Sequence, residues 1–136
     1  MTLPETSRTA VLLDTHTLLW WLFDDASLSP RARQVLADRK HTVWVSAASA
    51  WEIATKYRLG RLPDAQPLVE DFAAWMARAG FEVLAVDARH AVRAGLLPAV
   101  HRDPFDRMLA AQAALEGMAV LGRDVKLGEL GAVLVW

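Results

Sequence analysis

The chain has 136 residues, 54% of them apolar, with 15 basic and 16 acidic side chains and a formal net charge of −1. That length suits one domain, residues 1–136, and the balanced charge gives no global pull toward nucleic acid, so a polyanion must meet a local patch. The absence of cysteine excludes disulfides, thiolate zinc sites and cysteine nucleophiles; short apolar runs and a polar Met1–Arg8 without a signal pattern make a cytoplasmic protein the expectation.

Thr9–Leu13 reads as a buried strand and Thr15–Phe23 as a helix, with Leu18, Leu19 and Leu22 at helical spacing. Ser29-Pro30 is a helix start, a capping residue followed by proline at the first position, and that helix runs to about Arg39. Thr42–Ser46 is a second strand. Ser49 is expected to open a third helix, where Ala50, Ile53, Ala54 and Tyr57 keep the i, i+3, i+4, i+7 pattern and Gly60 is the C-terminal cap. After a loop over Arg61–Pro67, one helix is expected from Leu68 to Ala79, ended by Gly80. Glu82–Val86 is a third strand, and Asp87 caps a short helix to about Ala94. Leu96–Arg102 connects to a helix begun by Asp103-Pro104 and ended by Gly117. Ala119–Leu121, a helical turn over Val125–Leu130 and a strand over Ala132–Val135 complete the chain. Strands alternating with helices, several of them unbroken apolar runs, imply an α/β fold with a mostly parallel sheet covered on both faces.

Within this order four acids stand at element ends: Asp14 after the first strand, Asp124 after the fourth, Glu52 and Asp106 at two helix starts. Each has an ordinary explanation. Ser49 and Glu52 have the spacing of a capping box; Glu52 and Lys56 have that of an i, i+4 ion pair. Asp103 suits an N-cap, Asp106 a first helical turn where the dipole favours an anion, and Asp124 a turn before Lys126. Asp14 fits such readings least, because a charge between a buried strand and an apolar helix is costly without a partner. As a set the acids are more informative. In an open α/β sheet the carboxyl ends of the strands form the ligand crevice. Carboxylates gathered there repel unless a cation such as magnesium or manganese joins them. Arg102, Arg107 and Arg123 each adjoin an acid of the set or Asp103; they read as ion pairs or, with the acids, as a rim that binds phosphate. His16 and His101 flank the acids as possible ligands or bases. Trp20-Trp21 reads as core or dimer packing, or as a surface for bases.

These segments resemble the PIN-domain ribonucleases, and among them the VapC-type toxins of type II toxin–antitoxin pairs. The resemblance rests on LLDTHTLLWWL (12–22), VSAASAWEIATKYRLGRL (45–62), HRDPFDRMLAAQA (101–113) and VLGRD (120–124), in that order. It implies a three-layer α/β/α fold and a magnesium- or manganese-dependent endoribonuclease that hydrolyses RNA phosphodiester bonds. By match, Asp14, Glu52, Asp106 and Asp124 are the catalytic and metal-binding acids. Asp14 and Asp106 are the main ligands, Glu52 and Asp124 complete the shell directly or through water, and Asp103 is an accessory acid. Lys56, Arg102, Arg107 and Arg123 are the candidate contacts to RNA phosphates. The family usually has threonine or serine two residues before the fourth acid; here Gly122 stands, without a hydroxyl. The resemblance also implies an antitoxin whose tail lies over the acids. The apolar fraction, with a mean hydropathy of +0.18, suits that interface and a homodimer.

Other functions remain open from the sequence. A phosphoacceptor domain of similar architecture would need a second acid at residue 16, which is histidine, and a lysine after a late strand. Dinucleotide binding lacks its motif, since the seven glycines include no G-x-G-x-x-G. A catalytically inert PIN-like module that only binds RNA or protein is the remaining alternative.

Overall fold

The structure, a computed structural model, describes residues 9–98 and 100–136; the expected polar segment Met1–Arg8 lies outside them. Five strands form one sheet: β1 (Thr9–Leu13), β2 (His41–Ser46), β3 (Glu82–Leu84), β4 (Ala119–Leu121) and β5 (Leu134–Val135). Their order is β3-β2-β1-β4-β5 and every neighbouring pair is parallel. The helices are α1 (Thr15–Leu22), α2 (Pro30–Ala37), α3 (Ala47–Arg58), α4 (Gln66–Glu70), α5 (Phe72–Ala79), α6 (Ala88–Leu96), α7 (Pro104–Glu116) and α8 (Val125–Glu129). This is the α/β/α arrangement expected from the strand–helix alternation.

The period of β1 explains the two-sided cover. Val11 and Leu13 enter one core with Leu18, Ile53 and Met76, while Leu12 enters the other with Leu109, Val120 and Leu127. Successive side chains leave a strand on opposite faces, so a central strand buried on both sides must be apolar throughout.

Several boundaries differ from the sequence reading. α3 begins at Ala47, capped by Ser46, whose hydroxyl accepts from the Ala48 N–H at 3.0 Å. Ser49 therefore lies inside the helix and bonds the Thr15 hydroxyl at 2.9 Å, so the Ser49–Glu52 capping box does not form. The single helix expected over Leu68–Ala79 is two, because Asp71 is extended (φ −150°, ψ 71°) and caps α5 by accepting from Ala74 N–H. The loop over Arg61–Pro67 contains a 3-10 turn at Pro63–Ala65 and the start of α4. β3 ends at Leu84 rather than Val86. No helix among the described residues is long and apolar enough to cross a membrane.

Candidate active site

The sheet reverses its direction of growth at β1. The chain adds β2 and β3 on one side, then β4 and β5 on the other. Such a switch point opens a crevice beyond the strand carboxyl ends, because the connections leave in opposite directions. Asp14 closes β1 there and Asp124 follows β4. The Asp14 N–H donates to the Leu121 carbonyl at 3.1 Å, which ties the two strand ends together.

Asp14 is also the residue before α1, yet its carboxylate makes no capping bond and its residue is 5% exposed. Glu52 projects from the second turn of α3, is 4% exposed, and meets Lys56 Nζ at 2.6 Å. The i, i+4 pair seen in the sequence is thus real but half-buried. Asp103 caps α7, accepting from the Phe105 and Asp106 N–H groups at 2.8 and 3.2 Å. That cap fixes the first turn and with it Asp106. Asp124 caps α8, accepting from Lys126 N–H at 3.0 Å.

Asp106 registers the gathering of these acids. Burial, then the negative charges of Asp103, Asp124, Asp14 and Glu52, push its carboxyl from 3.8 up to about 7. The Asp14 carboxylate, 3.7 Å from His16 Nδ1, in turn raises the imidazole above its ordinary value. The donor set is all oxygen and like-charged, and among the described residues the Asp14 carboxylate faces only the His16 imidazole. It fits a hard divalent cation, which magnesium chemistry takes with one or two direct carboxylates and several waters.

Gly122 belongs to this geometry. A Cβ built on it would lie 2.7 Å from Asp14 Cβ and 3.5 Å from Asp14 Oδ2. In this backbone no threonine or serine fits, so the missing hydroxyl is the counterpart of a close approach between β4 and Asp14.

The basic residues divide. Arg107 directs all its donors at backbone: Nε to Ala94 O, Nη1 to Pro98 O and His101 O, Nη2 to Gly95 O and Leu97 O. All five N–H groups of a guanidinium are then used, and the reading of Arg107 as a phosphate contact is corrected to a clamp on the α6–α7 connection. Arg123 forms no ion pair among the described residues; its guanidinium lies 4.7 Å over the Trp20 ring. Arg102 is exposed at the mouth of an apolar cleft. His101 is bound to Glu129, the last residue of α8, which Asp124 caps at its start.

The sequence reading passed over one further cluster. Asp87, His90 and Glu116 bring possible ligand atoms within 4.8 Å of one another, the only such set among the described residues. It is not the predicted acid site, since Glu116 lies at the opposite end of α7 from Asp106, ~15 Å along the helix. His90 Nδ1 accepts from the Asp87 N–H and Nε2 meets Glu116 Oε1 at 2.9 Å, while Arg89 bridges both carboxylates. The imidazole's two nitrogens face different partners, and every group is satisfied without a metal. The cluster joins the start of α6 to the end of α7.

A sequence model of the PIN domain family matches residues 11–132. The chain belongs to the PIN domain family. It is 43% identical to Ribonuclease VapC16 of Mycobacterium tuberculosis over 58 residues, a match that spans 43% of this chain and 41% of that protein. It is 29% identical to Ribonuclease VapC22 of the same organism over 122 residues, 88% of this chain and 90% of that one. Among solved structures, the PIN fold here is similar to a chain of VapBC2 from Rickettsia felis bound to a promoter DNA fragment. The TM-score is 0.68 at 14% identity, covering 93% of this chain and 98% of that one. FitAcB from Neisseria gonorrhoeae gives a TM-score of 0.65 at 17% identity, covering 93% and 96%.

Proposed function

We propose that this PIN domain is a metal-dependent endoribonuclease acting as the toxin of a toxin–antitoxin pair. What supports the reading is that Asp14 and Asp124 leave β1 and β4 at the switch point and line one cleft, with Asp106 near enough to them, Glu52 and Asp103 for their charges to raise its carboxyl to about 7; the acids are not drawn as close as ligands around a bound ion would be. Asp14 and Asp106 would hold the ion directly, with Glu52 and Asp124 completing the shell. The ion would be Mg2+ or Mn2+. A divalent cation there supplies Lewis acidity toward a phosphoryl oxygen and toward the attacking water. The protein's part is positional. Asp14 is fixed by its strand end, Asp106 by the Asp103 cap, and Glu52 by Lys56; Lys56, Arg102 and Arg123 would meet the phosphates of the chain. No protein nucleophile is required. VapC ribonucleases as relatives and a VapBC complex as structural neighbour support the activity class and an antitoxin partner. The antitoxin's tail would place a cationic side chain among the acids.

A second copy of the chain is the proposed occupant of the apolar cleft between α3, α6 and α7, about 530 Å³ in volume and lined by Trp51, Ala94, Phe105 and Met108. Trp51 on its wall is 62% exposed and packs edge to face on Phe105, so the cleft presents a contiguous apolar patch of the kind that marks an interaction surface.

The test is cleavage of single-stranded RNA by purified protein with Mn2+, with EDTA, and with Asp14→Asn. Cleavage that needs Mn2+ and Asp14 is expected. Cleavage at the wild-type rate by folded Asp14→Asn would remove Asp14 from the site.

A further inference from the structure

The acid crevice has a wall that the metal chemistry does not use. A cleft of about 450 Å³ is lined by Asp14 and Asp124 together with His16, Trp20, Arg123 and Val125. His16 and Trp20 are four residues apart on α1 and so share one face; their rings stack at 5.8 Å with an interplanar angle of 29°. Trp20 meets Trp136 edge to face at 5.8 Å and 61°. The Arg123 guanidinium lies 4.7 Å over Trp20 and 6.0 Å from the centre of Trp136. Imidazole, indole and guanidinium therefore make a continuous run of flat surfaces beside two carboxylates.

We propose that His16, Trp20 and Arg123, backed by Trp136, form a nucleobase subsite that takes the base adjacent to the scissile phosphate of single-stranded RNA. The proposal rests on the ribonuclease reading above. Three features point to a base. The flat surfaces share a cleft with Asp14 and Asp124, so a phosphate held at those acids brings its neighbouring nucleotide to this wall. Arg123 adjoins Asp124 in sequence yet lies on an aromatic face, and a stacked guanidinium keeps its in-plane N–H groups free for a phosphate or a base edge. His16 and Arg123 are exposed while Trp20 is half-buried against the core, which leaves the outer layer open and the inner layer rigid. RNA is read in single strands by stacking of this kind, which tolerates any base. Packing alone would explain Trp20 on Trp136; it does not explain an exposed imidazole and an exposed guanidinium layered on Trp20 in the cleft of Asp14 and Asp124.

The experiment measures kcat and KM on a single-stranded RNA oligonucleotide with one mapped cleavage site. It is repeated on the same oligonucleotide made abasic at the nucleotide on either side of the cut. Wild type, Arg123→Ala, Arg123→Lys and Trp20→Leu are compared, and Mn2+ affinity is read separately by the spin signal of free Mn2+. The expected result is a ~tenfold rise in KM for Arg123→Ala and Trp20→Leu, the size of one lost base stack, with kcat and Mn2+ affinity unchanged. Arg123→Lys keeps the charge without the plane and should behave like Arg123→Ala. Removing the base on one side should cost wild type the same factor and the variants little more. Arg123 is exposed, so its variants carry the test even if Trp20→Leu fails to fold. Unchanged KM in folded Arg123→Ala, full rescue by lysine, or equal abasic penalties in wild type and variants would each overturn the subsite while leaving the ribonuclease reading intact. Absence of any cleavage by wild type with Mn2+ would overturn both.

Discussion

Replacing Asp106 by asparagine removes one charge from the acid cluster and keeps the side chain's shape. The carboxyl rises from 3.8 to about 7, through burial and the four neighbouring acids. At ~1.4 kcal/mol per pH unit this is ~4 kcal/mol of opposition to the charged form. The group is only about half buried, so solvent screening reduces the figure to ~1–2 kcal/mol. The sign follows from proton linkage: the folded chain holds this proton more tightly than the unfolded one. The benefit of that proton is fully present below about pH 4 and is lost as pH rises toward and through 7. Asparagine has no proton to lose. In EDTA, Asp106→Asn should match wild type near pH 4 and exceed it by ~1–2 kcal/mol at pH 8, a rise in Tm of several degrees, roughly 2–8 °C. Saturating Mn2+ should reverse the order, because ligand at a hundred times its Kd stabilises wild type by ~2.7 kcal/mol and the variant has lost a ligand. Thermal melts across pH with and without Mn2+ decide it. A variant no more stable than wild type at pH 8 in EDTA would mean that Asp106 feels no repulsion, and the cluster would fall.

Gly122→Ala puts a methyl group 2.7 Å from Asp14 Cβ; the expected cost is ~1–3 kcal/mol of stability together with weakened Mn2+ binding, read by calorimetry, and wild-type affinity would mean that Asp14 is not held by this contact. Arg107→Ala frees five carbonyls at the α6–α7 connection and should cost ~3 kcal/mol or more. Arg107→Lys should recover little, since a point charge with three donors cannot span the fork; denaturant melts measure both. Wild type should sediment as a dimer and Trp51→Glu as a folded monomer whose melting temperature no longer depends on protein concentration, because Trp51 is 62% exposed in the single chain.

What the sequence made legible follows the reach of each signal. β1 and α7 were readable because an apolar run and an Asp-Pro cap act over a few residues. The α3 start was misplaced by three residues because Ser46 and Ser49 both suit an N-cap, and the Thr15 hydroxyl, 34 positions away from Ser49, selects between them. The break at Asp71 was hidden by helical periodicity on both sides of it. Asp14 stood out from burial alone, whereas Glu52 and Asp106 needed the family segments, since nothing local separates a capping acid from a site acid. Arg107 and Trp136 were beyond reach. The five carbonyls that Arg107 gathers come from the last turn of α6 and the irregular connection after it, and Trp136 meets Trp20 only because β5 lies beside β4.

The partners of the acids also rank them. Glu52 has Lys56 at 2.6 Å, and Asp103 and Asp124 each have an oxygen bonded to backbone N–H groups of the helix they cap. Those three charges are compensated by the fold, with the α7 dipole adding its share at Asp103 and Asp106. Among the described residues Asp14 has only the imidazole of His16 at 3.7 Å, and Asp106 has no side-chain partner and a raised carboxyl. A fold that satisfies three acids internally and leaves two with little compensation concentrates the uncompensated charge on that pair. A cation lowers the free energy most where compensation is least. This ordering supports Asp14 and Asp106 as the direct ligands and gives Glu52, Asp103 and Asp124 the work of holding the field. It predicts a graded series in Mn2+ affinity: Asp14→Asn and Asp106→Asn abolish binding, while Asp124→Asn and Glu52→Gln weaken it. Calorimetry that found Asp124→Asn as damaging as Asp14→Asn would overturn the ranking, because a carboxylate already tied to Lys126 N–H would then be a ligand of equal standing.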